Sequence, residues 1–265
     1  MTMERWPDVA YSENDAERRK MDVFVPGDNA NGIGLLFIHG GGWHAGSRTA
    51  WHPVAERFCG LGYSCASVGY RLAPDWHYPA PVEDVRLAMS YFLENADRFR
   101  FDGKRTAAIG SSAGGHLAAM LATIPAEDEL GYTSEVRIRE TRPTAAVLYC
   151  AATNLRLADN VDSLKPSIEK LFGRPESEIP ESYALGSPYD RIDGRASATL
   201  LIHGDADETI PVDHSRRYYD KLVRHGVKAE LCVLPGVRHG FGYGASTPAQ
   251  LEAISAIERF FAGIW

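Results

Sequence analysis

Six tiny residues, GSSAGG at Gly110–Gly115, separate an apolar run that reads as a buried strand (TAAI, 106–109) from one that reads as a helix (HLAAMLATI, 116–124). A flexible Gly/Ser linker has no reason to be flanked in this way. Only one frame fits G-x-S-x-G, namely Gly110, Ser111, Ser112, Ala113 and Gly114, because centring it on Ser111 would require glycine at Ile109 and Ala113. That pattern is a sharp strand-to-helix turn that lifts the central hydroxyl above the sheet edge. The residues two before and two after the serine come so close together that a Cβ at either would clash. The helix beginning under the serine turns its free N–H groups and its dipole toward any negative charge formed there. No lysine follows the last glycine, which argues against a P-loop.

A serine hydroxyl is a weak nucleophile until a base takes its proton, and a histidine base needs an acid to fix its tautomer and stabilise its charged form. Both are expected later in the chain, each just after a strand. ATLLIHGDADETIP supplies Asp205, Asp207 and Glu208, and AELCVLPGVRHGFG supplies His239, in the order Ser, acid, His. Attack on a carbonyl also makes an oxyanion that preorganised donors must bind. HGGGW, His39–Trp43, follows the strand IGLLFI where one contributor is expected, and its glycines let backbone N–H groups face the site. Ala113 is expected to give another N–H, each donor contributing roughly 3 kcal/mol in the transition state.

Other side chains have plainer roles. His39 is expected to anchor its own loop, His203 to end a strand and His225 to sit exposed at a helix end; His39 and His44 lack metal-ligand spacing. Tyr70 and Arg71 read as braces at the top of the sheet, and Trp43 as packing or a wall of the acyl pocket. GFGYGA (240–245) resembles a dinucleotide fingerprint, but too little chain follows it for a βαβ unit. Cys59, Cys65, Cys150 and Cys232 form no CxxC pair and read as reduced thiols, at least the last three lying in apolar strand-like stretches.

The elements that would hold these residues alternate. KMDVFVP, IGLLFI, YSCASVGY, TAAIG, TAAVLYC, ATLLIHG and AELCVLPG read as strands. Helical patterns lie at TAWHPVAERFCGLG, APVEDVRLAMSYFLENAD, GGHLAAMLATI, VDHSRRYYDKLVRHG and the terminal TPAQLEAISAIERFFAGIW. Such alternation predicts an α/β fold with a mostly parallel sheet covered on both faces and a site at the carboxyl ends of the strands. At 265 residues one domain, 1–265, is expected. Residues 153–190 break the rhythm with Pro166, Pro175, Pro180 and Pro188 and a short helical candidate at SLKPSIEKLFG, and they read as a small lid or pocket wall. A formal charge of -7 without a basic cluster disfavours nucleic acid and anionic membranes. The opening residues lack the apolar centre of a signal peptide and no apolar run is long enough to span a bilayer, so a cytoplasmic location is expected.

HGGGW, YRLAP followed by YPAPVEDV, GSSAGGHLA, IHGDADETIP and RHGF together resemble the α/β-hydrolase superfamily, and within it the esterases related to hormone-sensitive lipase and the bacterial acetyl-esterase and feruloyl-esterase-like group. The resemblance runs from Ile33 to the C-terminus. It implies Ser112 as nucleophile, Asp207 as acid, His239 as base, and Gly41, Gly42 and Ala113 as oxyanion donors. Asp205 is the rival to Asp207, which alone matches the family spacing before TIP. Ser111 stands where the lipase-like form has Asp, which shifts the match toward GxSAGGHLA esterases. The stretch ahead of the glycine loop is too short for a helical cap, so an open pocket is implied. The function implied is a serine carboxylesterase acting on small, short-acyl esters, acetyl esters of sugars among them, with no cofactor and no metal. Its partner is a small-molecule ester, and a homo-oligomer is compatible with the pattern. An arylformamidase-like amide hydrolase is the alternative, followed by a non-catalytic ligand receptor, against which the retained His239 argues.

Overall fold

The computed structural model describes residues 3–14 and 17–265. Eight strands form one sheet: β1 (Glu4–Ala10), β2 (Lys20–Val25), β3 (Gly32–Ile38), β4 (Ser64–Val68), β5 (Phe101–Ser111), β6 (Ala145–Tyr149), β7 (Ala198–Gly204) and β8 (Ala229–Leu234). Their spatial order is β1-β2-β4-β3-β5-β6-β7-β8. β2 runs antiparallel to both β1 and β4, and every other neighbouring pair is parallel. The sheet is thus mostly parallel, as the alternation of strands and helices predicts.

Period-two side chains explain why the strands read as unbroken apolar runs. In β3, Leu35 and Phe37 enter one buried layer with Trp51, Phe58, Ile257 and Phe260, while Leu36 and Ile38 enter the other with Val85, Leu117 and Met120. With both faces covered by helices, every position of the strand from Ile33 to Ile38 is buried. Helices α1 (His52–Gly60) and α8 (Pro248–Ala262) supply the first layer, and α2 (Ala80–Glu94), α3 (Ala113–Thr123) and α7 (Asp213–Arg224) the second.

β1 is a strand that sequence patterning misses. Its side chains are mostly exposed, Pro7 lacks a ladder donor, and the pairing with β2 shifts register between Trp6 and Val9. At the break Asp8 turns to φ +56° and gives its N–H to the Asp22 carboxylate at 2.9 Å. Proline at a bulged edge strand is tolerated because that edge needs no further partner.

Between β6 and β7 the chain forms three short helices, α4 (Lys165–Phe172), α5 (Pro180–Leu185) and α6 (Pro188–Arg191). Prolines lie in the first turn of each, where their missing N–H has no intrahelical partner to lose, and Gly173 ends α4 at φ +67°. Phe172 and Tyr183 stack at 3.9 Å and join the second layer, so this insertion is anchored by its own core residues. No helix among the described residues is long and apolar enough to cross a membrane.

Candidate active site

β5 ends at Ser111 and α3 starts at Ala113, leaving Ser112 alone in the turn at φ 57°, ψ -121°. Such a conformation stores about 1–3 kcal/mol for a residue other than glycine and must be held by its neighbours. The Ser112 N–H donates to the Tyr149 carbonyl at the end of β6 (2.8 Å), and the Ser112 carbonyl accepts the His116 N–H (3.0 Å). A Cβ on Gly110 would overlap the Gly114 carbonyl, as expected. One on Gly114 would instead overlap the carbonyls of Ile38 and His39, so that glycine is required by the end of β3 rather than by Gly110.

Ser112, Asp207 and His239 meet above the sheet. His239 Nε2 lies 2.9 Å from Ser112 Oγ, and His239 Nδ1 lies 2.6 Å from Asp207 Oδ2. The carboxylate can only accept, so Nδ1 carries the proton and the Nε2 lone pair faces the serine hydroxyl. Asp207 Oδ1 accepts the N–H groups of Thr209 and Ile210, both at 2.9 Å. Burial would push the Asp207 pKa up. The hydrogen bonds from His203, His239 and the Ile210 N–H outweigh it and hold the carboxyl well below the usual range.

The rival acids are placed elsewhere. Asp205 Oδ1 accepts the Gly236 N–H at 2.6 Å and ties the β7 and β8 loops together, and Glu208 is exposed. His39 bonds its neighbouring Gly40 carbonyl (2.7 Å) and stacks on Tyr70, whose hydroxyl donates to the His39 carbonyl (2.9 Å). Arg71 is buried against Asp84. Tyr70 therefore braces the glycine loop, Arg71 ties the chain beyond β4 to α2, and His44 and His225 are exposed.

The glycine loop abuts the elbow: a Cβ on Gly40 would lie 3.1 Å from Ser112 Cβ. Gly41 and Gly42 adopt φ +113° and +58°. Among the described residues neither N–H has a protein acceptor, and Ala113, at the first helical position, has no intrahelical one. The Gly40 N–H is different, because it donates to Tyr243 Oη at 2.6 Å.

Two contributors escape a reading of the sequence. Tyr243, inside the discarded GFGYGA stretch, reaches from the His239 loop to the glycine loop and packs against Trp51 at 4.8 Å. His203, expected only to end β7, is fully buried with Nε2 2.9 Å from the Ile210 carbonyl and 3.3 Å from Asp207 Oδ2, while its Nδ1 meets Ser215 Oγ at 2.7 Å. It thus presents a second N–H to the acid. Tyr243 left no signal beyond an aromatic shortly after the base, and His203 none beyond a histidine at a strand end.

Cys150, Asp207 and His239 are the one group of three potential metal ligands among the described residues, their ligand atoms within 4.8 Å of one another. Burial and the adjacent Asp207 push the Cys150 thiol far up, into the form that binds metal poorly, and the other two atoms are committed to each other. A cavity of about 1160 Å³ lined by Tyr11, Tyr91, Glu94, Asn95, Glu135 and Arg137 includes none of these residues.

A family model described as BD-FAE matches residues 21–222. Esterase LipC of Mycobacterium tuberculosis is 32% identical over 83% of this chain and 56% of its own length. Carboxylesterase NlhH of the same species is 38% identical over 85% of this chain and 73% of its own. The chain therefore spans little more than half of LipC and almost three quarters of NlhH. A structure of an acetyl ester-xyloside bifunctional hydrolase from Caldicellulosiruptor lactoaceticus superposes with a TM-score of 0.83 at 23% identity, covering 98% of this chain and 96% of that one, a likeness of fold.

Proposed function

We propose that this chain, which belongs to the BD-FAE family, is a serine carboxylesterase that cleaves small, short-acyl esters through an acyl-enzyme. Ser112 Oγ attacks the ester carbonyl as its proton passes to His239 Nε2, and Asp207 stabilises the imidazolium. The N–H groups of Gly41, Gly42 and Ala113 receive the oxyanion. Collapse of the tetrahedral intermediate breaks the C–O bond, and the leaving alkoxide takes the proton from Nε2. Water then attacks the Ser112 ester by the same route, giving its proton to His239 and releasing the acid.

The observation that carries this reading is the continuous relay, 2.9 Å from serine to imidazole and 2.6 Å from imidazole to carboxylate. Support for short acyl groups comes from the compact insertion at 153–190, which we read as a pocket wall on the single domain. The Caldicellulosiruptor fold neighbour, described by its action on an acetyl ester, points the same way. Ser112→Ala is expected to lower p-nitrophenyl acetate hydrolysis by about 10⁶-fold, to the level set by the remaining groups, and to abolish labelling by a fluorophosphonate. Across p-nitrophenyl esters from acetate to palmitate, kcat/KM is expected to fall with chain length. Undiminished hydrolysis by Ser112→Ala removes the nucleophile assignment. A higher kcat/KM on N-formylkynurenine than on any ester moves the enzyme to amide hydrolysis.

A further inference from the structure

The HGGGW loop holds three successive residues at positive φ: Gly41 (+113°), Gly42 (+58°) and Trp43 (+61°). Glycine adopts such angles freely, whereas a tryptophan there is strained by about 1–3 kcal/mol and persists only if its side chain is held. Trp43 is 1% exposed and its carbonyl accepts the Ala73 N–H at 2.9 Å. Its indole Nε1–H donates to His116 Nδ1 at 3.1 Å, the two rings meeting edge to face at 5.3 Å.

His116 lies one turn beyond Ser112 on α3 and is fully buried. Its Nε2 is 2.7 Å from the Gly186 carbonyl, in the link between α5 and α6 of the insertion. A carbonyl only accepts, so Nε2 carries the proton and Nδ1 remains as the acceptor the indole needs. Burial pushes the imidazole pKa down to about 4, which keeps it in this neutral form at neutral pH. One side chain therefore joins the nucleophile's helix, the glycine loop and the insertion.

We propose that His116 is a positioning residue for the oxyanion site: oriented by the Gly186 carbonyl, it holds Trp43 in its left-handed turn and so fixes the Gly41 and Gly42 amides beside Ser112. The inference rests on the reading of Ser112, Gly41 and Gly42 given above. Donors that must be placed before charge develops lose their effect when the loop carrying them can relax, and substrate binding to the ground state need not change with them.

The test uses Trp43→Phe, which keeps a ring but removes the donor, and His116→Gln, which retains an N–H for Gly186 and leaves nothing at the Nδ1 position. Each is expected to lower kcat on p-nitrophenyl acetate about tenfold or more with KM changed less than about twofold. Affinity for a trifluoromethyl ketone, whose serine adduct carries the oxyanion, should fall by the same factor. End-point labelling by a fluorophosphonate should stay complete. His116→Asn, with an acceptor near the Nδ1 position, should recover most of the loss, and the Trp43→Phe/His116→Gln double variant should be no slower than the slower single one. Wild-type kcat in both single variants overturns the proposal. So does a loss of rate that tracks lost labelling while affinity for the ketone per labelled site is unchanged, or a double variant whose losses multiply. A wild-type protein that the fluorophosphonate does not label overturns the nucleophile assignment and this inference with it.

Discussion

Asp207 receives three hydrogen bonds and one longer approach, from His203 Nε2 at 3.3 Å, and their arrangement fixes what a substitution there must do. Thr209 and Ile210 present N–H groups to Oδ1, while the N–H groups of His203 and His239 face Oδ2. In Asp207→Asn the amide oxygen must take the first position, since an NH₂ there would oppose two backbone donors. The NH₂ then meets His239 Nδ1, which can oblige only by becoming an acceptor, and the ring proton moves to Nε2. An Nε2–H cannot take the serine proton, so kcat/KM on p-nitrophenyl acetate is expected to fall by about 10⁴-fold with KM far less affected. A loss under tenfold would show that the tautomer is not set by this carboxylate. Ser112, His239 and an acid between them in the chain, the residues that meet in the relay, could be singled out in the sequence because each sits in a local motif just past a strand. Asp205 and Asp207, two residues apart, are separated from sequence only by family resemblance; in space one bonds Gly236 and the other His239. Tyr243, His203 and the partners of His116 were not legible, since their bonds join loops distant in the chain and leave no spacing to read.

Elements position these residues through close backbone approaches, and the glycines at those approaches are not equivalent. Gly114 sits where α3 meets the end of β3, and an added Cβ would overlap two carbonyls that belong to the strand itself. Backbone cannot swing aside as a side chain does. Gly114→Ala is therefore expected to lower the free energy of unfolding by at least about 3 kcal/mol. Gly60, the last residue of α1, has nothing within 4 Å of an added Cβ and no positive φ. Gly60→Ala should raise stability by about 0.5–1 kcal/mol through a less flexible unfolded chain. Urea midpoints of the two variants should thus move in opposite directions, and equal shifts would mean that the elbow is not under the packing constraint described. The seven strands and five long helices read from apolar runs are all present, because burial on both faces or an apolar helical stripe leaves a strong pattern. β1 left none, being exposed, interrupted by Pro7 and bulged at Asp8. Of the helices of the insertion only α4 was legible, through the helical spacing of SLKPSIEKLFG; α5 and α6 span six and four residues, too short for an apolar period, and their prolines marked only a break in the alternation.

At the scale of the whole molecule the braces around the site share one chemical property: several are histidines buried in the neutral form. His39 in the glycine loop, His116 on α3 and His214 at the start of α7 each have a pKa lowered to about 4, in every case chiefly by burial. Arg18 and Arg48 add to the effect at His39. At His214, His203 and Arg217 add to it while Asp159 and Asp213 oppose it. In the unfolded chain these rings titrate near 6.5, so between about pH 6.5 and 4 the unfolded state binds more protons and stability must fall as pH falls. A shift of this size corresponds to about 3 kcal/mol for each ring, against a typical total of about 5–15 kcal/mol. Asp207 acts in a different window: its lowered pKa adds stability that is fully present above about pH 4 and is lost only below it. Denaturant midpoints are therefore expected to decline steadily from pH 6.5 to 4, with a shallower slope in His116→Asn, which lacks one of the three rings. Because these histidines are buried in the glycine loop, on α3 and at the start of α7, the candidate site should loosen in the same range as the fold. Midpoints that stay level to pH 4 and drop only below it would assign acid unfolding to carboxylates such as Asp207 and remove the histidines from it.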